Sequence, residues 1–120
     1  MSQHRILVTT IACVLSALGV LLAAPRQALP GEAPPEIALT MTDQRFTPEE
    51  LRVKAGAPFM LVVKNQGAEE GEFEIPELRI EQEIPAGKTK RFKIPGLRPG
   101  TYSLINDNKG ASAKGRLVAE

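Results

Sequence analysis

Cysteine, histidine and tryptophan are almost absent from this sequence of 120 residues. Its single cysteine, Cys13, and its single histidine, His4, both lie near the N-terminus, and it has no tryptophan. The remainder of the chain therefore has no disulfide, no thiolate nucleophile and no imidazole that could act as a base at neutral pH. Ser103 and Ser112 do not occur in the sharp strand-to-helix turn of a nucleophilic serine. We expect that the protein is not an enzyme.

A strong charge of one sign is also missing. The formal net charge is +1, and only 4% of the residues are aromatic. Proteins that bind nucleic acid usually carry a basic field and stacking aromatic residues, so a nucleic-acid partner is not expected. The length allows one domain with a substantial core.

The N-terminus has the pattern of an export segment. His4 and Arg5 precede an apolar run, Ile6–Ala24, and prolines follow from Pro25 onward. We expect residues 1–24 to be a signal peptide, with an inner-membrane anchor as the alternative because 19 apolar-rich residues can span a bilayer. Residues 25–35 are interpreted as a Pro-rich linker. The exported part would then lie in the periplasm, touching the membrane only through residues 1–24 if these are retained.

From Glu36 onward, apolar residues alternate with polar ones. Period two is typical of strands with one buried face, and no stretch has the period of a helix. The alternating pairs include Leu39 and Met41, Leu61 and Val63, Phe73 and Ile75, Leu78 and Ile80, and Phe92 and Ile94. Pro and Gly pairs separate them at turn positions, which predicts an antiparallel sandwich or barrel over residues 36–120.

The segment Leu97–Tyr102, LRPGTY, has the form of a tyrosine corner. In this motif a tyrosine entering a strand turns its hydroxyl back to an upstream backbone group and fixes the arch between two sheets of a Greek key. We interpret Tyr102 as structural. The alternative is a phenolate ligand, which would leave the corner without its hydrogen bond.

Several landmarks in fixed order resemble those of the small cupredoxins. They are Phe46-x-Pro48, Leu51-x-Val53-x-x-Gly56, the LRPGTY corner, and Gly115-x-Leu117-Val118 near the end. The resemblance runs from about Ile37 to Ala119. It implies an all-β fold, a Greek-key β-sandwich of the cupredoxin-like type with about seven to eight strands.

The copper ligands of that family do not carry over. The resemblance places Gly71 where the first His is expected, Asn106 where the Cys is expected, Lys109 or Gly110 at the second His, and Ala113 at the Met. A type 1 copper centre needs a thiolate and two imidazoles. No type 1 copper is therefore expected.

With these ligands replaced, the sequence resembles one branch of the family. This branch comprises the cupredoxin-like domains of the EfeO type and the small periplasmic proteins found with bacterial iron-uptake systems. The resemblance implies acidic site residues at Glu72, Glu74 and Glu81 and a carboxylate in the last loop, here Asp107. It also implies a metal-binding accessory of iron uptake, with a membrane permease or another uptake component as partner. The histidine that such loops often contain is replaced by Lys109.

The acidic segment predicts a bound cation even apart from the family resemblance. Seven carboxylates lie between Glu69 and Glu83, against one base, Arg79. In strand geometry Glu72 and Glu74 share the face opposite Phe73 and Ile75. Arg79, Glu81 and Glu83 share the face opposite Leu78 and Ile80, so the carboxylates converge if the two segments are neighbours. Carboxylate oxygens suit iron or another divalent or trivalent cation better than Cu(I). We select Glu72 and Glu81 first as metal ligands, then Glu74 and Asp107.

Other interpretations of these charges remain open. Glutamates that alternate with apolar residues also occur on any solvated strand, and the basic segment Lys88–Arg98 could neutralise them by cross-strand pairing. Lys109 could replace a cation by pairing with a carboxylate, or be a solvated turn residue. Met41 and Met60 are interpreted as core residues. The alternative function is a metal-free interaction module that docks onto an envelope transport or redox complex.

Overall fold

The computed structural model describes residues 31–108 and 111–120. These residues form nine strands in two sheets, a short 3-10 turn and no α-helix. The strands are β1 (Glu36–Met41), β2 (Phe46–Thr47), β3 (Glu50–Val53), β4 (Phe59–Asn65), β5 (Gly71–Ile75), β6 (Ile80–Ile84), β7 (Thr89–Ile94), β8 (Gly100–Asn108) and β9 (Ala111–Ala119). The all-β sandwich prediction is confirmed, with nine strands rather than seven or eight. The two residues of β2 are too few to produce an alternating pattern.

The strands divide into a four-stranded and a five-stranded sheet. Their orders are β2-β1-β4-β7 and β3-β9-β8-β5-β6, so that strands adjacent in sequence often lie in different sheets. The pairs β1–β4 and β3–β9 are parallel, and the other pairs are antiparallel. Residues 31–120 make a compact unit with its own core. The predicted export segment, residues 1–24, and residues 25–30 of the predicted linker lie outside the described residues. Within the described ranges there is no helix that could span a membrane.

The predicted alternation places the apolar residues between the sheets. Leu61 and Val63 from one sheet and Phe73 and Ile75 from the other are all fully buried. The ring of Phe73 packs tilted against Phe92 of the opposite sheet, with centroids 5.2 Å apart. This core is what aligns the outward-facing residues of β5 and its neighbours.

The tyrosine corner forms as predicted. The Tyr102 hydroxyl donates a hydrogen bond of 2.9 Å to the carbonyl oxygen of Arg98, four residues upstream. The bond ties the start of β8 to the connection that crosses from the other sheet. The structural interpretation of Tyr102 is confirmed.

The segment between β5 and β6 differs from the prediction. We expected Leu78 and Ile80 in one strand, with Arg79 on the same face as Glu81. Instead, Pro76–Leu78 form a 3-10 turn, which the Arg79 amide closes by donating to the Pro76 carbonyl. Arg79 has a φ of 55°, so the chain turns there and β6 begins one residue later. The alternation was real, but a proline-led turn interrupts it.

Cross-strand neutralisation of the acidic strand is also excluded. The basic strand β7 pairs with β4 in the four-stranded sheet, whereas the acidic strand β6 pairs with β5 in the other. The short connection between them, Pro85–Lys88, is an arch between sheets and not a hairpin. The carboxylates of β6 therefore lack a basic strand beside them in their own sheet.

The strands β8 and β9 are longer than the family resemblance implied. The resemblance implied that Asp107 lies in the last loop, but β8 continues to Asn108 and β9 begins at Ala111. Asn106 pairs with Ala113 and Asp107 with Ser112 in a regular antiparallel ladder. Asp107 is thus a strand residue. Lys109, for which two interpretations were left open, lies outside the described residues.

Candidate functional site

The carboxylates of β5 face outward because their neighbours fill the core. Phe73 and Ile75 are fully buried, while Glu72 and Glu74, which alternate with them along the strand, are half-buried on the opposite face. Successive strand residues point to opposite faces, so burial of the first pair fixes the direction of the second. The predicted orientation of β5 is confirmed.

The register of the five-stranded sheet brings all four predicted site residues to one face. Glu72 lies opposite Asp107 of β8 and opposite Glu83 of β6, and Glu74 lies opposite Glu81 of β6. These five carboxylates form what we call the acidic face. Directly opposed like charges destabilise a sheet unless a proton or a cation reduces the repulsion.

Glu72 and Glu81 are diagonal neighbours on the acidic face. A hydrogen bond with Glu81, together with partial desolvation, raises the pKa of Glu72, and the charges of Glu81, Glu74 and Asp107 raise it further. A hydrogen bond between two carboxyl groups requires that one of them holds a proton. A proton on Glu72 can make this bond, and a cation can take its place once the proton leaves.

The acidic face is not a complete chelating site by itself. Among the described residues, no three His, Cys, Asp or Glu side chains are grouped as they would be around a metal ion. Glu81, Glu83 and Asp107 are exposed to solvent. Glu72, Glu74, Glu81 and Asp107 remain predicted ligands that the fold has placed side by side.

A second cluster contains residues that the resemblance to cupredoxins aligns with copper ligands. Gly71, Asn106 and Ala113 meet at one end of the core, and the Met41 side chain packs among them. A Cβ atom added at Gly71 would lie 2.4 Å from Asn106 Oδ1 and 2.8 Å from Met41 Cε. The side chains of Asn106 and Met41 therefore fill the space that a larger residue at position 71 would need.

Asn106 links the two sheets through its amide group. Its side chain is completely buried, and its Nδ2 donates a hydrogen bond of 2.9 Å to the carbonyl oxygen of Thr42, which follows β1. Its Oδ1 is buried without a hydrogen-bond partner. Met41 is a core residue as predicted, whereas Met60 is half-buried and faces outward on β4, so the prediction for Met60 was wrong.

Three polar residues of structural importance were missed by the sequence analysis. Asn65 is fully buried and donates to the carbonyl oxygens of Glu69 and Ile84, at 2.9 and 2.8 Å. The Glu77 carboxylate accepts bonds from both the amide and the hydroxyl of Ser103. An asparagine at the end of an apolar strand was the only sequence signal for Asn65. The contact of Glu77 with Ser103 spans 26 positions and has no local signature.

Known proteins similar to this chain share the sandwich. One is auracyanin A, a "blue" copper protein from Chloroflexus aurantiacus, which superposes with a TM-score of 0.59 at 17% identity. The superposition covers 73% of this chain and all of the auracyanin A chain. A chain of a heme-copper terminal oxidase dimer superposes with a TM-score of 0.62 at 13% identity, covering 87% of this chain and 84% of its own. At such identities the likeness concerns the fold.

A sequence relative and a family model complete the comparison. An uncharacterized protein of Rickettsia prowazekii (strain Madrid E), RP394, is 24% identical over 83 residues, which are 69% of this chain and 66% of the relative. The model of the cupredoxin-like domain matches residues 12–119, nearly the whole chain. The chain therefore belongs to the cupredoxin-like domain family.

Proposed function

We propose that this protein is an exported, periplasmic cation-binding accessory of metal uptake, with Glu72 and Glu81 as the central ligands. The observation that carries the proposal is the strand register that makes these two residues diagonal neighbours among the carboxylates of the acidic face, which raise the pKa of Glu72. The cargo is iron or another divalent or trivalent cation that prefers oxygen ligands. In this role the protein binds and releases an ion and catalyses no reaction.

The donor set at the copper-equivalent positions does not fit type 1 copper. Gly71 and Ala113 have no donor atom in their side chains, and Asn106 offers only an amide, whose nitrogen already donates to Thr42. The thioether of Met41 is the only soft atom among these four residues, and one thioether does not replace a thiolate and two imidazoles. Blue-copper electron transfer is therefore not part of the proposal.

The acidic face suits an ion that is passed on rather than stored. Glu72 and Glu81 supply two carboxylates. Glu74 lies on the same strand as Glu72, Asp107 lies opposite Glu72 on β8, and the face is open to water. A hard cation that keeps several water ligands needs only one or two protein carboxylates, as Mg²⁺ sites illustrate. Water or a partner would then complete the coordination and keep the affinity moderate.

The apolar segment Ile6–Ala24 and the similarity to EfeO-type domains support the location and the partner. We propose that the sandwich lies in the periplasm and delivers its cation to a membrane permease or another component of iron uptake. A carboxylate partner on such a permease would compete for the ion directly. Adjacent genes for a permease with an iron-binding signature would support this assignment.

A metal-free interaction module is the second candidate. It is favoured by the separation of charge, with carboxylates on β5 and β6 and basic residues on β7 in the other sheet. The absence of a three-ligand group among the described residues also favours it. Its partner would be an envelope transport or redox complex, since a terminal oxidase assembly contains a similar fold.

Calorimetric titration of the protein with Fe(III), Mn(II) and Cu(II) tests the first proposal. We expect binding of the oxygen-preferring ions, and Glu72→Gln or Glu81→Gln should weaken it by more than the roughly tenfold that losing an outer-shell partner costs. Binding should strengthen as the pH rises, because the pKa of Glu72 is raised above its usual 4.5 and its proton competes with the ion. Glu70→Gln, in the exposed loop before β5, is the matched control.

The same titration separates the two candidates. Binding that survives both substitutions places the ion elsewhere and contradicts the assignment of Glu72 and Glu81. No binding of any of the three ions leaves the interaction module as the function.

A further inference from the structure

One side of the sandwich carries two sheet edges of opposite charge. β6 ends the five-stranded sheet and β7 ends the four-stranded sheet, and no strand among the described residues pairs with the outer edge of either. β6 exposes Glu81, Gln82 and Glu83, whereas β7 exposes basic side chains. The exposed basic residues of β7 are Lys90, Arg91 and Lys93.

The charges permit only one kind of edge-to-edge pairing between copies. Two β6 edges would oppose carboxylates, and two β7 edges would oppose cations, and like charges directly opposite each other destabilise a sheet. A β6 edge beside the β7 edge of another copy places opposite charges side by side. The pattern thus selects against two pairings and favours the third.

The strand directions allow this pairing to close on itself. The carbonyl oxygen of Ile84, the last residue of β6, accepts from Asn65 Nδ2, and the carbonyl oxygen of Lys88, just before β7, accepts from the Asn65 amide. β6 therefore runs toward Asn65 and β7 runs away from it. A two-fold axis parallel to the strands sets each β6 antiparallel to the partner's β7, and both edges are used at once.

We propose that the chain forms a two-fold symmetric dimer through β6 and β7, in which each sheet of one copy continues into the other sheet of its partner. Two antiparallel ladders over five-residue strands provide about ten backbone hydrogen bonds, the number in a typical interface. The half-buried Phe92, which packs on Phe73 at this side of the core, becomes covered. The dimer does not depend on cation binding.

Charge exchange between the two edges tests the dimer. The full chain is produced with two different affinity tags, and recovery of one copy with the other is measured in mild detergent. Gln82→Lys with Glu83→Lys makes both edges basic, and Lys90→Glu with Lys93→Glu makes both edges acidic. Each double variant alone should lose about tenfold or more of its self-association, whereas the two mixed together should associate again as opposite edges meet.

The control variants change the same charges elsewhere on the surface. Gln44→Lys with Glu49→Lys, and Lys54→Glu with Lys114→Glu, alter exposed residues outside β6 and β7 and should leave self-association unchanged. Recovery of association in the mixture also shows that both edge variants are folded. Glu83 belongs to the acidic face, so cation binding is measured in the Lys90→Glu with Lys93→Glu variant, which leaves all five carboxylates of that face in place.

Three results would overturn the dimer. The first is wild-type protein that remains monomeric at the highest concentration reached. The second is self-association that both edge variants retain, which would assign it to another part of the chain. The third is an edge that captures a different protein while two copies of the chain never recover each other.

Discussion

At the scale of single residues, Gly71, Asn106 and Met41 form a closely packed part of the core. Asn106 connects β8 to the end of β1 through the hydrogen bond to Thr42, a link between the sheets that needs no metal. The absence of a Cβ at Gly71 makes room for the Asn106 amide and the Met41 methyl group. The buried Asn106 Oδ1 without a partner has a cost of about 1–3 kcal/mol.

The close packing at Gly71 leads to a prediction of stability. Gly71→Ala should destabilise the protein by about 1–3 kcal/mol, because the new methyl group would contact Asn106 Oδ1 and Met41 Cε at far less than van der Waals distance. Urea unfolding followed by circular dichroism measures the loss. Ser112→Ala, on an exposed position of β9, is the control and should change stability little.

A double-mutant cycle tests the cause of that loss. With Asn106→Ser, the amide no longer occupies the space, and Gly71→Ala should cost less than it does in the wild-type background. Strict additivity of the two substitutions would show that Asn106 is not the obstacle.

At the scale of elements, the 3-10 turn and β8 are joined by a carboxylate. β5 ends at Ile75, and the Glu77 side chain then accepts the Ser103 amide at 3.0 and 3.1 Å and the Ser103 hydroxyl at 2.7 Å. Burial alone would raise the pKa of Glu77, but the hydrogen bonds from Ser103 and from the Glu77 backbone together outweigh it and lower the pKa. The turn thereby satisfies a backbone donor of β8 beyond the end of its neighbouring strand.

Removing the charge of Glu77 should therefore have a pH-dependent effect. A carboxylate whose pKa is lowered on folding stabilises the folded state above its unfolded pKa, and this contribution disappears as the pH falls through the folded value. Glu77→Gln should cost about 1 kcal/mol or less at neutral pH, since the site is largely exposed. The difference from wild type should shrink as the pH falls below the usual 4.5.

Urea midpoints measured from neutral to acidic pH would check the role of Glu77. Glu70→Gln serves as the control for loss of one surface charge. A Glu77→Gln effect of constant size at all pH values would exclude the proposed charge-assisted bonds.

At the scale of the whole molecule, a cupredoxin-like sandwich is retained while its metal chemistry is proposed to change. The core runs through both sheets, and Asn65 and Asn106 add hydrogen bonds from buried side-chain amides. The sandwich is thus expected to be stable without copper. The proposed cation site lies on the outer face of β5 and β6, outside this core.

Thermal unfolding with two different metals tests whether the protein binds a cation that prefers oxygen ligands and not copper. A metal present at a hundred times its Kd adds about 2.7 kcal/mol to stability. We expect Mn(II) to raise the Tm and Cu(I) to leave it unchanged, because Cu(I) prefers soft ligands and Met41 is buried. A Cu(I) chelator should likewise have no effect on the purified protein. Stabilisation by Cu(I) but not by Mn(II) would reverse the proposed metal preference.

Local patterns in the sequence are sufficient to predict the all-β fold class and the face to which each strand residue points. Alternation of apolar residues acts over two positions, and the tyrosine corner over four, so both are visible in a short window. The outward orientation of Glu72 and Glu74 follows from their position beside Phe73 and Ile75. The same local rule failed at Leu78 and Arg79, where a turn began inside an apparently regular pattern.

Only the tertiary structure decided which strands are neighbours. The sheet assignment separates β6 from β7 and places Asp107 of β8 opposite Glu72 of β5. These pairings join residues distant in sequence, and their free energy comes from burying a common core rather than from any local preference. For the same reason the packing of Asn106 and Met41 against Gly71 became visible only when β1, β5 and β8 were brought together.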